Sequence, residues 1–331
     1  MDLFIDIGST NFKWAFSDFP EKTYATPFPA PLRAEYPYFE VSASAISSLV
    51  KDVIDKSQPQ RVFFSVQMHG YVLLKNGCPV TEYVSWRDER GASFSPAFTL
   101  TKEHGVDLKP NLPRLSLEAQ TVEFDEFCTL GSYLVKSLTG INATHITDAA
   151  PSGFYNVKTR TAEEVPFRLP EALYSVDAVG MYGSSEIYSP IGDQQAAVLG
   201  ATQAVGGFDG YILNLGTAGQ LCLVEKGFVS GEFESRPYFS GRTLCTITRL
   251  PGGGVISKHT DGEIAERLVE EYGAARKKLP VRDKVLATGG LVKYRRELIE
   301  TVLGRLGLRY EMNSESDALA GLSILAKGEI K

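Results

Sequence analysis

Leu3-Phe4-Ile5-Asp6-Ile7-Gly8-Ser9-Thr10 opens the chain, and Tyr211-Ile212-Leu213-Asn214-Leu215-Gly216-Thr217-Ala218 repeats its pattern in the second half. Each is an apolar strand with a polar residue two places before a glycine, followed at once by a small residue that carries a hydroxyl. One such turn is an ordinary hairpin signal. Two in one chain predict two similar half-molecules facing one phosphate chain. Glycine lets the backbone approach an anion closely and take positive φ. The turn amides, with Ser or Thr hydroxyls, point donors at phosphate oxygens. Asp6 lies among Leu3, Phe4, Ile5 and Ile7, so an ion, a water or a partner donor must hold its charge.

The 331 residues suffice for two domains of ordinary size. At 43% hydrophobic and 22% charged, the chain has the profile of a globular protein. The net charge of −6 argues against a broad nucleic-acid surface, which needs clustered Lys and Arg. The basic run Arg276-Lys277-Lys278 is short. No stretch approaches the roughly 20 apolar residues of a membrane span, and no signal peptide is expected. Cys78, Cys128, Cys222 and Cys245 are dispersed, with no metal spacing and no Cys-x-x-Cys. The expectation is a cytoplasmic protein with neither a nucleic-acid nor a membrane partner.

Around the first turn the pattern predicts a return strand over 12–17 and a helix over 42–56. That helix would present Ile46, Leu49, Val50, Val53 and Ile54 on one face. A buried strand over 61–66 ends in Gln67-Met68-His69-Gly70. Prolines break segment 91–190 into short pieces, with one helix expected over 124–138 and stopped by Gly140. Gly192-Asp193 then leads into a helix rich in small residues, and a strand–turn–strand follows over 211–225. Further helices are expected at about 262–272, 293–306 and 316–327, the last with Ser314 or Ser316 as N-cap. A domain boundary is expected near 190, giving units 1–190 and 191–331.

Five glycine-centred segments follow one another along the chain: Asp6-Ile7-Gly8-Ser9-Thr10-Asn11, Gly192-Asp193-Gln194-Gln195, Leu215-Gly216-Thr217-Ala218-Gly219, Pro251-Gly252-Gly253-Gly254 and Ala287-Thr288-Gly289-Gly290. In this order they resemble the FGGY family of carbohydrate kinases, in the superfamily of actin and hexokinase. The first and third look like that family's phosphate motifs. The last is similar to its adenosine motif, and Ser316-Asp317-Ala318-Leu319-Ala320-Gly321 to its closing helix. Gln67-Met68-His69-Gly70 resembles the sugar segment of xylulokinases. Val84-Ser85-Trp86-Arg87-Asp88-Glu89-Arg90 and Pro237-Tyr238-Phe239-Ser240-Gly241-Arg242-Thr243-Leu244 are closer to sedoheptulokinases. The chain departs from the family in being substantially shorter. Only about thirty residues separate Gly254 from Val285, and the family's Gly-Glu-Arg-x-Pro loop is missing. Ala218 and Leu291 stand where serine and a third glycine are common.

The resemblance implies an α/β fold of two ribonuclease H-like domains around a central cleft, the second domain shortened. It implies ATP and Mg²⁺ as cofactors. Asp193 would be the catalytic base, orienting a substrate hydroxyl and accepting its proton. Asp6 would position Mg²⁺ through water. Gly8, Ser9, Thr10, Asn11 and Lys13 would approach the phosphates from one side. Gly216, Thr217, Gly219, Gly253 and Gly254 would approach from the other, with Gly289 and Gly290 against adenine or ribose. Gln67, Met68 and His69 would bind sugar, with Trp86, Asp88, Arg90 and Gln194 as further candidates. An ordinary role stands beside several of these: Asp193 as a helix cap, and Trp86, Asp88 and Arg90 as part of a surface salt-bridge cluster. The expected activity is phosphorylation of a primary hydroxyl of a ketose. A non-catalytic sugar or nucleotide sensor on the same fold is the alternative. The identity of the ketose and the existence of a homodimer stay open.

Overall fold

A computed structural model describes residues 1–97, 100–216, 218–313, 318–328 and 330. The repeated turns seed two sheets that share the same central pairing. In the first half the strands are β1 (Asp2–Ile7), β2 (Asn11–Phe16) and β3 (Phe19–Pro27). Helix α1 (Ala43–Ser57) then leads to β4 (Arg61–Val66). An excursion follows, containing β5 (Tyr71–Lys75), β6 (Glu126–Thr129) and α2 (Leu130–Thr139). The chain returns through β7 (Ala178–Tyr182), β8 (Ser185–Tyr188) and β9 (Ile191–Gly192). Helix α3 (Asp193–Ala204) precedes the second half.

That half holds β10 (Tyr211–Leu215), β11 (Gly219–Glu225), β12 (Glu234–Tyr238) and β13 (Arg242–Leu250). It continues with α4 (Asp261–Lys278), β14 (Lys284–Thr288), α5 (Arg296–Arg305), β15 (Arg309–Asn313) and α6 (Ala318–Ala326). The first sheet runs β7-β8-β4-β1-β2-β3 and the second β12-β13-β11-β10-β14-β15. In each, the turn-bearing strand pairs antiparallel with the next strand and parallel with the strand after a helix. The match extends to register. Asp6 lies opposite Lys13 and Ser65, and Asn214 opposite Gln220 and Thr288.

Strand alternation decides where these polar residues point. Leu3, Ile5 and Ile7 join the core that α1 and α2 cover, and Tyr211, Leu213 and Leu215 join the core under α4 and α5. The alternate residues Phe4 and Ile212 pack in a third core, with α3 and α6 between the two sheets. Asp6 and Asn214 share that inner face, at the ends of their strands.

α3 and α6 approach so closely that a Cβ built on Gly321 would stand 2.1 Å from the Ala196 carbonyl oxygen. Gly321→Ala is therefore expected to cost about 1–3 kcal/mol in urea unfolding. Unchanged stability would show that the two helices can part without loss.

The expected helices differ from the structure in three places. The helix expected over 124–138 begins only at Leu130, because Glu126–Thr129 pairs antiparallel with Tyr71–Lys75. Thr129 closes that strand and caps the helix, its hydroxyl accepting from the Ser132 N–H. The helix expected over 293–306 is two, Gly290–Tyr294 and Arg296–Arg305, parted at Arg295. The helix expected at 262–272 runs on to Lys278. Ile191–Gly192, just past the expected boundary at 190, still pairs with the first sheet. The start of the last expected helix, with Ser314 and Ser316, lies outside the described residues.

Candidate active site

The site forms where the inner sheet faces end. Gly8 closes a tight turn, its N–H donating to the Asn11 carbonyl at 3.1 Å. Ser9 is part-exposed on the cavity wall, and Thr10 and Asn11 are exposed. Lys13 shares a sheet face with Asp6 through their register. Asp6 is buried, and its Oδ1 accepts the Ser65 hydroxyl at 2.8 Å.

On the opposite side, the Gly253 N–H donates to the Gly216 carbonyl at 2.8 Å, joining two of the glycine segments. Gly289 adds the third. Its φ is +97°, and a Cβ there would stand 2.7 Å from the Leu215 carbonyl oxygen, so only glycine fits. Gly216, Gly253 and Gly289 thus converge on the end of β10. Gly219 is buried at the start of β11, while Gly254 and Gly290 are exposed. Thr217 lies outside the described residues.

Asp193 stands at the first turn of α3 and lines two adjoining cavities, of about 280 and 200 Å³. Its Oδ1 accepts the Gln194 N–H at 2.8 Å, so the helix end fixes the carboxylate. Burial, and then the nearby negative charge of Asp6, push its pKa up to about 7. The smaller cavity is also lined by Asp6, Gly8, Gln194, Asn214 and Gln220. Two carboxylates therefore face one polar space. Among the described residues no group of three or more His, Cys, Asp or Glu stands ready to hold a metal. A two-carboxylate site fits Mg²⁺, which keeps most of its waters.

The larger cavity is lined by Gln67, Met68, His69 and Trp86 from one side and Arg236 and Thr248 from the other. The Gln67 N–H donates to the Ile7 carbonyl at 2.9 Å, which fixes the segment to the end of β1. His69 holds a left-handed backbone, φ 64°, a conformation that costs a non-glycine residue about 1–3 kcal/mol. Burial, with Lys109 and Arg236 nearby, holds its pKa well below the ordinary value, so the ring is neutral. Arg236 Nη2 donates to His69 Nε2 at 3.4 Å. Among the described residues, three buried polar atoms on cavity residues make no hydrogen bond: Gln67 Oε1, Asn111 Oδ1 and Gln220 Oε1. Burying such atoms unpaired is costly, so a polar ligand is the natural partner for them.

Residues that the sequence reading did not select complete this wall. Glu234 ion-pairs with Lys109, and with Arg236 at 2.7 Å, all three buried. Arg236 and Lys109 hold the Glu234 carboxyl down to about 2 against its burial. Arg236 Nη1 also donates to Gln194 Oε1 at 2.5 Å, and Gln194 Nε2 to Thr246 Oγ1 at 2.8 Å. Gln194 is therefore tied to the cluster. The available signal was Glu234 and Arg236 alternating with Ser235 in a strand between Phe233 and Tyr238.

Two candidates are not brought to the cavity. Asp88 accepts the Phe39 N–H at 2.7 Å, the Arg90 N–H at 3.0 Å and the Arg90 guanidinium at 2.8 Å. Arg90 Nη2 reaches Glu40 at 2.5 Å. This pair is a buried brace tied to Phe39 and Glu40, not a surface salt-bridge cluster. Trp86 itself lines the cavity, and its carbonyl accepts from Asn111 Nδ2 at 2.6 Å.

The fold is that of solved carbohydrate kinases. The structure is similar to the ligand-bound xylulose kinase from Lactobacillus acidophilus, at TM-score 0.84 and 16% identity, covering 99% of this chain and 89% of that one. It is similar to gluconate kinase from the same organism, at TM-score 0.82 and 16% identity over 98% and 89%. Xylulose kinase from Rhodospirillum rubrum gives TM-score 0.83 and 13% identity over 98% and 89%. At these identities the likeness carries the fold. No protein-family model and no curated protein matches the sequence.

Proposed function

We propose that the protein is an ATP-dependent carbohydrate kinase that phosphorylates a primary hydroxyl of a ketose. The observation that carries this reading is the set of three unpaired buried polar atoms, on Gln67, Asn111 and Gln220, around a cavity that ends at Asp193. Sugar hydroxyls both donate and accept, so a polyol pairs such atoms as no apolar ligand can. Units 1–190 and 191–331 act as sugar-side and nucleotide-side domains, and closing them excludes water.

Gly8, Ser9, Thr10, Asn11 and Lys13 approach the phosphates from the first half. Gly216, Thr217, Gly219, Gly253 and Gly254 approach from the second, with Gly289 and Gly290 toward the nucleoside. Asp6, with Asp193 nearby, would hold Mg²⁺, which supplies charge neutralisation of the phosphates. Gln67, His69 and Asn111 orient the sugar, with Met68 and Trp86 as its apolar walls. Gln194 and the Asp88–Arg90 brace position those groups. Asp193 takes the hydroxyl proton as the oxygen attacks the γ-phosphate in line.

A base must be ionised to act. With Asp193 raised to about 7, kcat/KM should rise with pH through that value. The limb should move to lower pH when a cation neutralises Asp6. An acid limb that neither lies near about pH 7 nor moves with Mg²⁺ concentration would count against Asp193 as the base. ADP release across a panel of ketoses, polyols and aldonates tests the function. A ketose is expected to give the highest kcat/KM. Saturable ATP binding with no turnover on any sugar would support the sensor alternative.

A further inference from the structure

Strand β12 has two functional faces. Arg236 lines the cleft and is paired with Glu234, while Ser235 and Pro237 line a separate cavity of about 220 Å³ behind it. Residues from 146–174 and from 227–243 wall this second cavity, so it lies between the two halves. Its lining is cationic, with Lys158, Arg160 and Arg242. Lys158 pairs with Glu103 at 2.7 Å. Among the described residues no carboxylate pairs with Arg160 or Arg242. Arg160 is held in a left-handed backbone, φ 62°, with its guanidinium 5.1 Å from the centre of the Tyr174 ring. The turn before it is fixed by Asn156 Oδ1, which accepts the N–H groups of Lys158 and Thr159. In the wall, Ser235 is 1% exposed and its Oγ makes no hydrogen bond.

We propose that this cavity is a second ligand site, specific for a small phosphate-bearing anion, and that its occupancy is coupled to the cleft. Two guanidinium-bearing residues without carboxylate partners suit the fork geometry of phosphate oxygens. The buried Ser235 hydroxyl supplies a further donor. Tyr174 holds the Arg160 guanidinium over its ring. The coupling route is β12, since a ligand on Ser235 bears on the strand that holds Glu234 and Arg236. An occupant also bridges the two halves, and so biases how they close.

Calorimetric titration tests the site, with inorganic phosphate and ribose 5-phosphate as probes. Saturating Mg²⁺ and a non-hydrolysable ATP analogue block the cleft. Binding is expected to persist under that block, and to weaken by about tenfold or more in the Arg160→Ala/Arg242→Ala variant. Tighter binding of ribose 5-phosphate than of phosphate would assign a monoester; equal binding would assign the free anion. Ser235→Ala should weaken the probe without lowering the thermal midpoint, since its Oγ makes no bond when the cavity is empty. The affinity for a ketose, or for xylitol as its mimic, should shift on saturation with the probe. No binding of either probe, binding abolished by the ATP analogue, or binding unchanged in the double variant would overturn the site. Binding without a shift in sugar affinity would overturn the coupling.

Discussion

Asp193→Ala is expected to lower phosphoryl transfer by about 10³-fold or more, with the affinity for Mg-ATP staying within a few-fold. The carboxylate lines both cavities, where a sugar oxygen and a terminal phosphate would meet. The nucleotide contacts proposed above lie elsewhere, on the Gly8 turn and on the glycines at the end of β10. Removing Asp193 also removes the repulsion with Asp6, so binding of the nucleotide should not suffer. The Asp193→Asn variant controls for cavity shape, and should be as inactive as the alanine. Asp193 does make one local contact, to the Gln194 N–H. The N-cap of that helix is Gly192, not Asp193, so unfolding measured beside turnover should change little and leave loss of the base as the cause. Substantial turnover in both variants would move the base to another residue.

Glu234→Ala should have the largest effect on the folded state. It leaves Lys109 and Arg236 buried without their shared carboxylate. Breaking a buried pair in this way costs about 3–5 kcal/mol. Sugar affinity should fall with it, because Arg236 also holds Gln194 and His69. The wild type carries the same dependence in its pH response. The Glu234 carboxyl is depressed to about 2 from an ordinary value of 4.5. Its contribution to stability is full above the ordinary value and is lost as pH falls toward 2. The Glu234→Gln variant should lack that part of the acid transition in urea-unfolding measurements. Equal acid sensitivity in the variant and its parent would show that Glu234 is not the group responsible.

The parts of the site legible in the sequence are those with local signatures. The turns after Asp6 and Asn214 are set by a polar residue and a glycine at fixed offsets, and the structure places both strands on matching faces. Asp193 is legible because it opens a helix right after a glycine. Gln67 to His69 follow a buried strand. Glu234, Arg236 and Lys109 were missed because their pairing joins β12 to a segment without periodicity, more than a hundred residues away. A non-local ion cluster leaves no period along the chain. Asp88 and Arg90 illustrate the reverse case. Their charge pattern suits sugar binding as well as it suits a brace, and only the positions of Phe39 and Glu40 decide between the two. The strand at 126–129 carries a helical signal because its residues continue the apolar spacing of α2, while its partner β5 lies far back in the chain.

The central claim is that Asp193 and the glycine turns act together on a sugar and a nucleotide. ³¹P NMR of the protein with Mg-ATP and a ketose panel tests it most directly, because it follows the γ-phosphate itself. The account predicts ADP growing with a phosphate monoester coupled to CH₂ protons in wild type, and neither signal in Asp193→Asn. Phosphate appearing only as the inorganic ion, or a monoester formed equally by the variant, would contradict it.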